Sequence, residues 1–388
     1  LEIAEMADVK EGLPITPALV QWARERAGYS LEDASLIFKK IATWESGEAL
    51  PSYAQLEEMA DKFKTPVAVF FFPAPPLLPS IQQSFRTLPA DEFAAIPRSI
   101  RLLLRRGQAM QINLAELNDG TNPSKSLITR DLKFSPNTSI DDVAAGVRSY
   151  LGVSIEEQAS WKSVGEALDN WREIVAARAG VYIFKDAFHA PNYFGFCLYD
   201  AEFPVVYINN SATKSRQIFT LFHEMGHLLF HTSGIDILDD SYLNYRNDED
   251  RKIEVICNGL AARVLVPDDV LDNMLVGVQI SRAAAEQIAK YFNVSREVIY
   301  RKFLDRKMIG PGEYSAAADA WAAQVKTKTS TSGNYYNSHR AYLGQRYIDL
   351  AFTRYYQNRF DQGQLAEYLN LKPKSLPTFA EKFAWGGL

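Results

Sequence analysis

SRQIFTLFHEMGHLLFH, residues 215–231, decides how the chain is read. Its apolar positions Ile218, Phe219, Leu221, Phe222, Leu228 and Leu229 recur with the period of a helix. Three of the five histidines in the chain, His223, His227 and His231, fall within nine residues of it. His223, Glu224 and His227 form an HExxH pattern. On a helix, residues four apart share one face about 6 Å apart, so both imidazoles can reach one ion.

A catalytic zinc takes three protein ligands and keeps one position open. A HExxHxxGxxH continuation would supply a third histidine, but Phe230 stands in the place of its glycine and Ser233 in the place of its last histidine. The next strongly helical segment, EVICNGLAARVLVP (254–267), opens with Glu254, which the two-His, one-Glu arrangement takes as the third ligand. Glu224, beside the first ligand, is placed to act as the base in peptide-bond hydrolysis on zinc-activated water. Asn258, one turn after Glu254, is expected to hydrogen-bond a ligand or substrate from behind. His231, one turn past His227, is expected to support the site or cap the helix rather than join the ion. Tyr242 and Tyr245 are candidates for oxyanion stabilisation by position.

Outward from this segment, VYIF (181–184), FGFCLY (194–199) and PVVYIN (204–209) read as short strands of one small sheet. Short helices are expected over 14–72, beginning at Pro17, with Ser30 as an N-cap and a further stretch after Pro51. PAPPLLPS (73–80) reads as an extended linker. Residues 91–175 read as helical, with Arg98, Arg101, Arg105 and Arg106 on a solvated face. Ser281 to about Met308 reads as a helical pair turning at Asn293–Ser295. After the polar segment KTKTSTSG (326–333), a helical tail is expected. The fold class is therefore α+β and predominantly helical: a helical domain over 1–78, a helical connector over 79–170, a small-sheet zincin-like domain over 171–310 and a helical tail over 311–388.

The 388 residues give room for two to three cores. With 47% apolar and 23% charged residues, wholesale disorder and collagen-like repeats are excluded. The longest apolar run, Val67–Phe72, is far short of the roughly 20 residues needed to span a bilayer, so no membrane association is expected. Two cysteines, Cys197 and Cys257, in unlike contexts suggest thiols in a reducing cytoplasm. The acidic start LEIAEMADVKEG lacks the basic and apolar regions of a secretory signal, in line with a cytoplasmic location.

FTLFHEMGHLLFH, preceded by PVVYINNS and followed by EVICNGLAARVLVP, resembles the ImmA/IrrE family of bacterial zinc metallopeptidases over about 170–310. The resemblance implies that His223, His227 and Glu254 hold Zn2+ with Glu224 as catalytic base. It also implies a regulatory peptidase that cuts a repressor or an antitoxin. The alternative it implies is a non-proteolytic antitoxin or transcriptional regulator that neutralises a PIN-type nuclease toxin. GNYYNSHRAYLGQRYIDLAF (333–352) is similar to the tail of the family.

WARERAGYSLEDAS and WESGEALPSYAQLEEMA resemble an XRE-type helix-turn-helix domain, shortened between Gly28 and Trp44 by about one helical turn. Lys39 and Lys40, in FKKIAT, are the residues that would meet DNA. Residues 1–72 carry seven Lys plus Arg against twelve Asp plus Glu, a net of −5, which opposes phosphate binding. A protein substrate or toxin partner fits that charge better than DNA does. Oligomeric state leaves no mark in the sequence.

Overall fold

The computed structural model describes residues 13–76, 85, 95–135, 137–237, 248–324 and 335–383. It divides into two compact units, the first within Leu1–Ile81 and Ala94–Arg105, the second within Gln82–Phe93 and Arg106–Leu388.

In the first unit, α1 (Pro17–Arg26) starts on a proline that has no N–H to satisfy. The Ser30 side chain caps α2 (Leu31–Ile37) by accepting from Asp33 N. The FKK segment is a turn rather than helix, so α3 (Ile41–Ser46) starts afresh and Gly47, at φ 79°, ends it. Ser52 and Gln55 form a reciprocal capping box on α4 (Tyr53–Phe63). Phe38, Trp44 and Phe63 meet in a core with Leu19, Val20, Leu56 and Met59. Buried in the same unit, Arg24 holds Glu45 at 2.6 Å and Tyr29 O at 2.8 Å, tying α1 to α3. Removing one partner of such a pair costs about 3–5 kcal/mol.

The arginines expected on a solvated face are engaged instead. They lie on α5 (Arg98–Leu117), whose residues up to Arg105 belong to this unit. Arg98 Nε donates to Ala27 O at 3.0 Å and its guanidinium lies 3.3 Å from the Tyr29 ring centroid; Arg105 Nη1 donates to Arg26 O at 3.1 Å. Both satisfy carbonyls at the C-terminal end of α1, which have no partner within their own helix.

The second unit continues with the one-turn α6 (Ile128–Asp131), α7 (Ile140–Leu151), α8 (Ile155–Ser160) and α9 (Val164–Ala179). Next come β1 (Tyr182–Asp186), β2 (Tyr193–Leu198) and β3 (Val205–Asn209). A long buried helix, α10 (Lys214–Leu229), precedes β4 (Ile235–Ile237). Then follow α11 (Asp248–Leu265), α12 (Asp268–Leu275), α13 (Arg282–Phe292), α14 (Arg296–Asp305) and α15 (Pro311–Ala322). The tail holds α16 (Tyr335–Leu343), α17 (Gln345–Tyr356), α18 (Gln362–Tyr368) and α19 (Leu376–Phe383). The chain is thus predominantly helical around a small mixed sheet.

The sheet order is β1-β3-β2-β4, with β1 parallel to β3 and the other pairs antiparallel. Alternation along the strands sends two sets of side chains to opposite faces. Ile183, Cys197, Val206 and Ile208 join the core that includes α10. Phe184, Phe196 and Tyr207 make the other face, Phe196 and Tyr207 stacking at 4.9 Å, with Gly107 of α5 close against Phe196. Trp171 of α9 meets Phe222 of α10 edge-on at 4.9 Å. The turn expected at Asn293–Ser295 is present: Asn293 adopts φ 55° after α13, and Ser295 caps α14. Among the described residues no helix is long and apolar enough to cross a membrane.

Candidate metal centre

α10 opens on Thr213, whose side chain accepts from Arg216 N, and is buried from Gln217 to Leu229 save for Phe219. A helix buried on nearly all sides must place its polar residues against partners or a ligand. His223, Glu224 and His227 are all among them, each no more than 2% exposed.

The partner of α10 is α11, and Gly226 sets how closely they approach. A Cβ there would lie 2.8 Å from Cys257 Sγ and 3.1 Å from Cys257 Cα. This contact, one turn beyond Glu254, brings the Glu254 carboxylate to 3.6 Å from His223 Nε2 and 3.4 Å from His227 Nε2. The three buried groups offer donor atoms all within 4.8 Å of one another. Asn258 Oδ1 stands 3.1 Å from His223 Nδ1, which fixes that nitrogen as the N–H and leaves Nε2 with its lone pair turned to the carboxylate. Thr232 Oγ1 lies 3.4 Å from His227 Nδ1. Gly234 completes the seat of His227: a Cβ there would fall 2.3 Å from the imidazole Cδ2.

His223 Nε2, His227 Nε2 and both Glu224 oxygens are buried with no hydrogen-bond partner among the described residues. Leaving such groups unpaired costs about 1–3 kcal/mol each. Two imidazole nitrogens and a carboxylate facing one point form a donor set that suits a divalent metal, and the unspent lone pairs fit it.

Burial pushes the Glu224 carboxyl up to about 8, with Asp236 adding to the rise and His227 opposing it. Burial lowers His223. At His227 burial acts the same way, but Cys257 and Glu254 outweigh it and the group is raised well above the usual imidazole value.

Of the other residues singled out from sequence, His231 lies beyond the end of α10 at φ 56°. Its Nε2 meets Thr129 O at 3.0 Å and its ring stacks on Tyr199 at 4.8 Å, so it stands outside the converging group. Lys39 and Lys40 are exposed in the turn before α3. Tyr242 and Tyr245 lie outside the described residues. Sequence reading missed Thr232, Gly234 and the pair Thr220–Asp236, in which Thr220 Oγ1 donates to Asp236 Oδ2 at 2.7 Å and Arg216 Nη2 reaches Asp236 Oδ1 at 2.5 Å. The GxD spacing just past the helix was the available signal.

Residues 176–304 match a peptidase family model described as the IrrE N-terminal-like domain, a range that contains the whole centre. Over 98 residues the chain is 36% identical to the radiation response metalloprotease IrrE of Deinococcus radiodurans, covering 25% of this chain and 30% of that protein. It is 35% identical over 98 residues to the protein of the same name from Deinococcus deserti, covering 25% and 34%. The chain matches about a third of the length of these curated relatives.

Proposed function

We propose that the second unit is a zinc-dependent peptidase that acts on a protein partner such as a repressor or a component of a toxin–antitoxin pair. The observation that carries this reading is the convergence of His223 Nε2, His227 Nε2 and the Glu254 carboxylate beside the unpaired Glu224 carboxylate. The match of residues 176–304 to the IrrE N-terminal-like family model, with the likeness to IrrE metalloproteases, supports it.

In this reading His223, His227 and Glu254 hold the ion, and Asn258 keeps His223 in the tautomer that binds it. Bound zinc supplies Lewis acidity toward a carbonyl and lowers the pKa of water to about 7. Glu224 does the proton work: its carboxylate takes a proton from the attacking water and returns it to the departing amide nitrogen. Positive charge beside Glu224 favours its ionised form, which reverses the effect of burial and readies it as a base. The first unit, acidic and with Lys39 and Lys40 as its adjacent basic pair, serves to hold a protein partner in preference to DNA.

Glu224→Gln tests the assignment. The variant is expected to keep stoichiometric zinc while cleavage of a co-expressed candidate partner falls by at least about 10²-fold. Full partner control by the variant would favour the binding-only alternative, a regulator or antitoxin that does not cut. A preparation that takes up no zinc, and gains no stability when it is added, would remove the peptidase reading itself.

A further inference from the structure

At the edge of the sheet opposite β4, β1 and α9 meet α16 and α17 around a cavity of about 390 Å³. Three arginines line it: Arg172 from α9, Arg340 from α16 and Arg346 from α17. Each is anchored on one side. Arg172 Nη2 donates to Ile183 O at 3.1 Å, Arg340 Nε to Gln345 Oε1 at 2.7 Å, and Arg346 Nη2 to Ser124 Oγ while its guanidinium lies 4.7 Å from the Tyr182 ring centroid.

The other sides are not all used. Arg172 Nε and Arg346 Nη1 are buried with no acceptor among the described residues. Arg172 and Arg346 both line the cavity and each keeps an N–H without an acceptor, which suits a ligand that accepts hydrogen bonds there. Asp169 and Glu173 also line the cavity, exposed on α9; their charges attract Arg172, but among the described residues neither forms a direct ion pair with it.

We propose that this cavity is a binding site for a small molecule carrying one phosphate group, separate from the metal centre. A phosphate brings about −1.5 to −2 charge and three acceptor oxygens, enough to face three guanidinium groups at once. The volume exceeds what a free phosphate fills and falls in the range of small-molecule pockets, leaving room for an organic body. The rim carboxylates Asp169 and Glu173 would repel a second or third phosphate, which selects a monophosphate over a polyphosphate chain. The lowered guanidinium pKa of Arg172, about 10 through burial, still leaves it charged at neutral pH.

The test is calorimetric titration of the full chain, with and without added zinc, at fixed ionic strength, with inorganic phosphate, AMP and succinate in turn. Saturable one-to-one binding of phosphate or AMP with Kd below roughly 1 mM is expected. Arg340→Gln, at an exposed position, is expected to weaken it at least about tenfold, as is Arg346→Gln, while His223→Ala leaves it unchanged. The last variant separates this site from the metal centre, so failure of the peptidase reading would not touch it. No saturation by phosphate or AMP up to about 10 mM overturns the proposal, as does equal affinity in Arg340→Gln, a loss in His223→Ala, or binding of succinate alone.

Discussion

Replacing Gly226 by alanine isolates the helix–helix distance that builds the metal centre. The added Cβ would sit 2.8 Å from Cys257 Sγ and 3.1 Å from Cys257 Cα, where ordinary contact begins at 3.4 Å. Relief therefore needs a separation of about 0.6 Å at the sulfur and about 0.3 Å at the backbone. Two effects compete in the metal-free protein: alanine favours the helix by about 1 kcal/mol over glycine, whereas overpacking a dense core costs about 1–3 kcal/mol. The net change in metal-free stability is then small, at most about 2 kcal/mol. Metal binding has no such offset. Ligand distances tolerate only about 0.2 Å, so moving Glu254 away from His223 and His227 by several tenths of an ångström is expected to weaken zinc about 10- to 100-fold. Competition against a chromogenic chelator reads this directly, with urea unfolding of the metal-free protein alongside. Adding Cys257→Ala removes the closest of the overlaps, that with Sγ, leaves those with Cα and Cβ at 3.1 Å, and should recover part of the affinity. Zinc affinity within about threefold of the parent in Gly226→Ala, with the metal-free protein stabilised by the full helix-propensity gain of about 1 kcal/mol, would refute the idea that this contact sets the site.

Asn258→Ala should lower zinc affinity about 10- to 100-fold with little change in folding of the metal-free chain, because it frees the His223 tautomer without touching a ligand; the same chelator competition measures it. Gln158 is buried, donates to Leu265 O at 2.9 Å and Phe292 O at 2.8 Å, and accepts from Arg148 at 2.9 Å, so Gln158→Met should cost roughly 2–5 kcal/mol in urea unfolding; a loss under about 0.5 kcal/mol would mean those carbonyls find other donors. Lys185, buried and pulled down to about 7 by burial and then by Arg172, makes stability depend on pH. The unfolded chain binds more protons between that value and the normal lysine value, so the penalty is full below pH 7 and is relieved as pH rises toward 10, by at most roughly 5 kcal/mol. The difference between the parent and Lys185→Met should shrink across that range, and parallel pH curves would contradict it.

Much of the fold could be read locally. The three longer strands, the capped helices at Ser30 and Ser295 and the turn at Asn293 are all set by neighbours a few residues apart, and the structure has them at those places. β4 was not legible, because three residues show no alternation and Ile235–Ile237 is a strand only through its pairing with β2. The face of α5 was misjudged because periodicity shows which arginines lie together but not that Ala27 O and Arg26 O wait for them.

At the centre the same division holds. The sequence alone determined that His223 and His227 share a helical face with Glu224 beside them, since a spacing of four residues is a property of one helix. Where Glu254 stands is another matter: 27 residues from His227, it reaches both rings only because Gly226 lets α11 close on α10 at Cys257. The arginine cavity lies wholly on that second side, with Arg172 and Arg340 some 168 positions apart and nothing in either neighbourhood to announce the other. Local backbone geometry carries information over a turn or two; beyond that, the packing of whole elements decides which charges and lone pairs face each other.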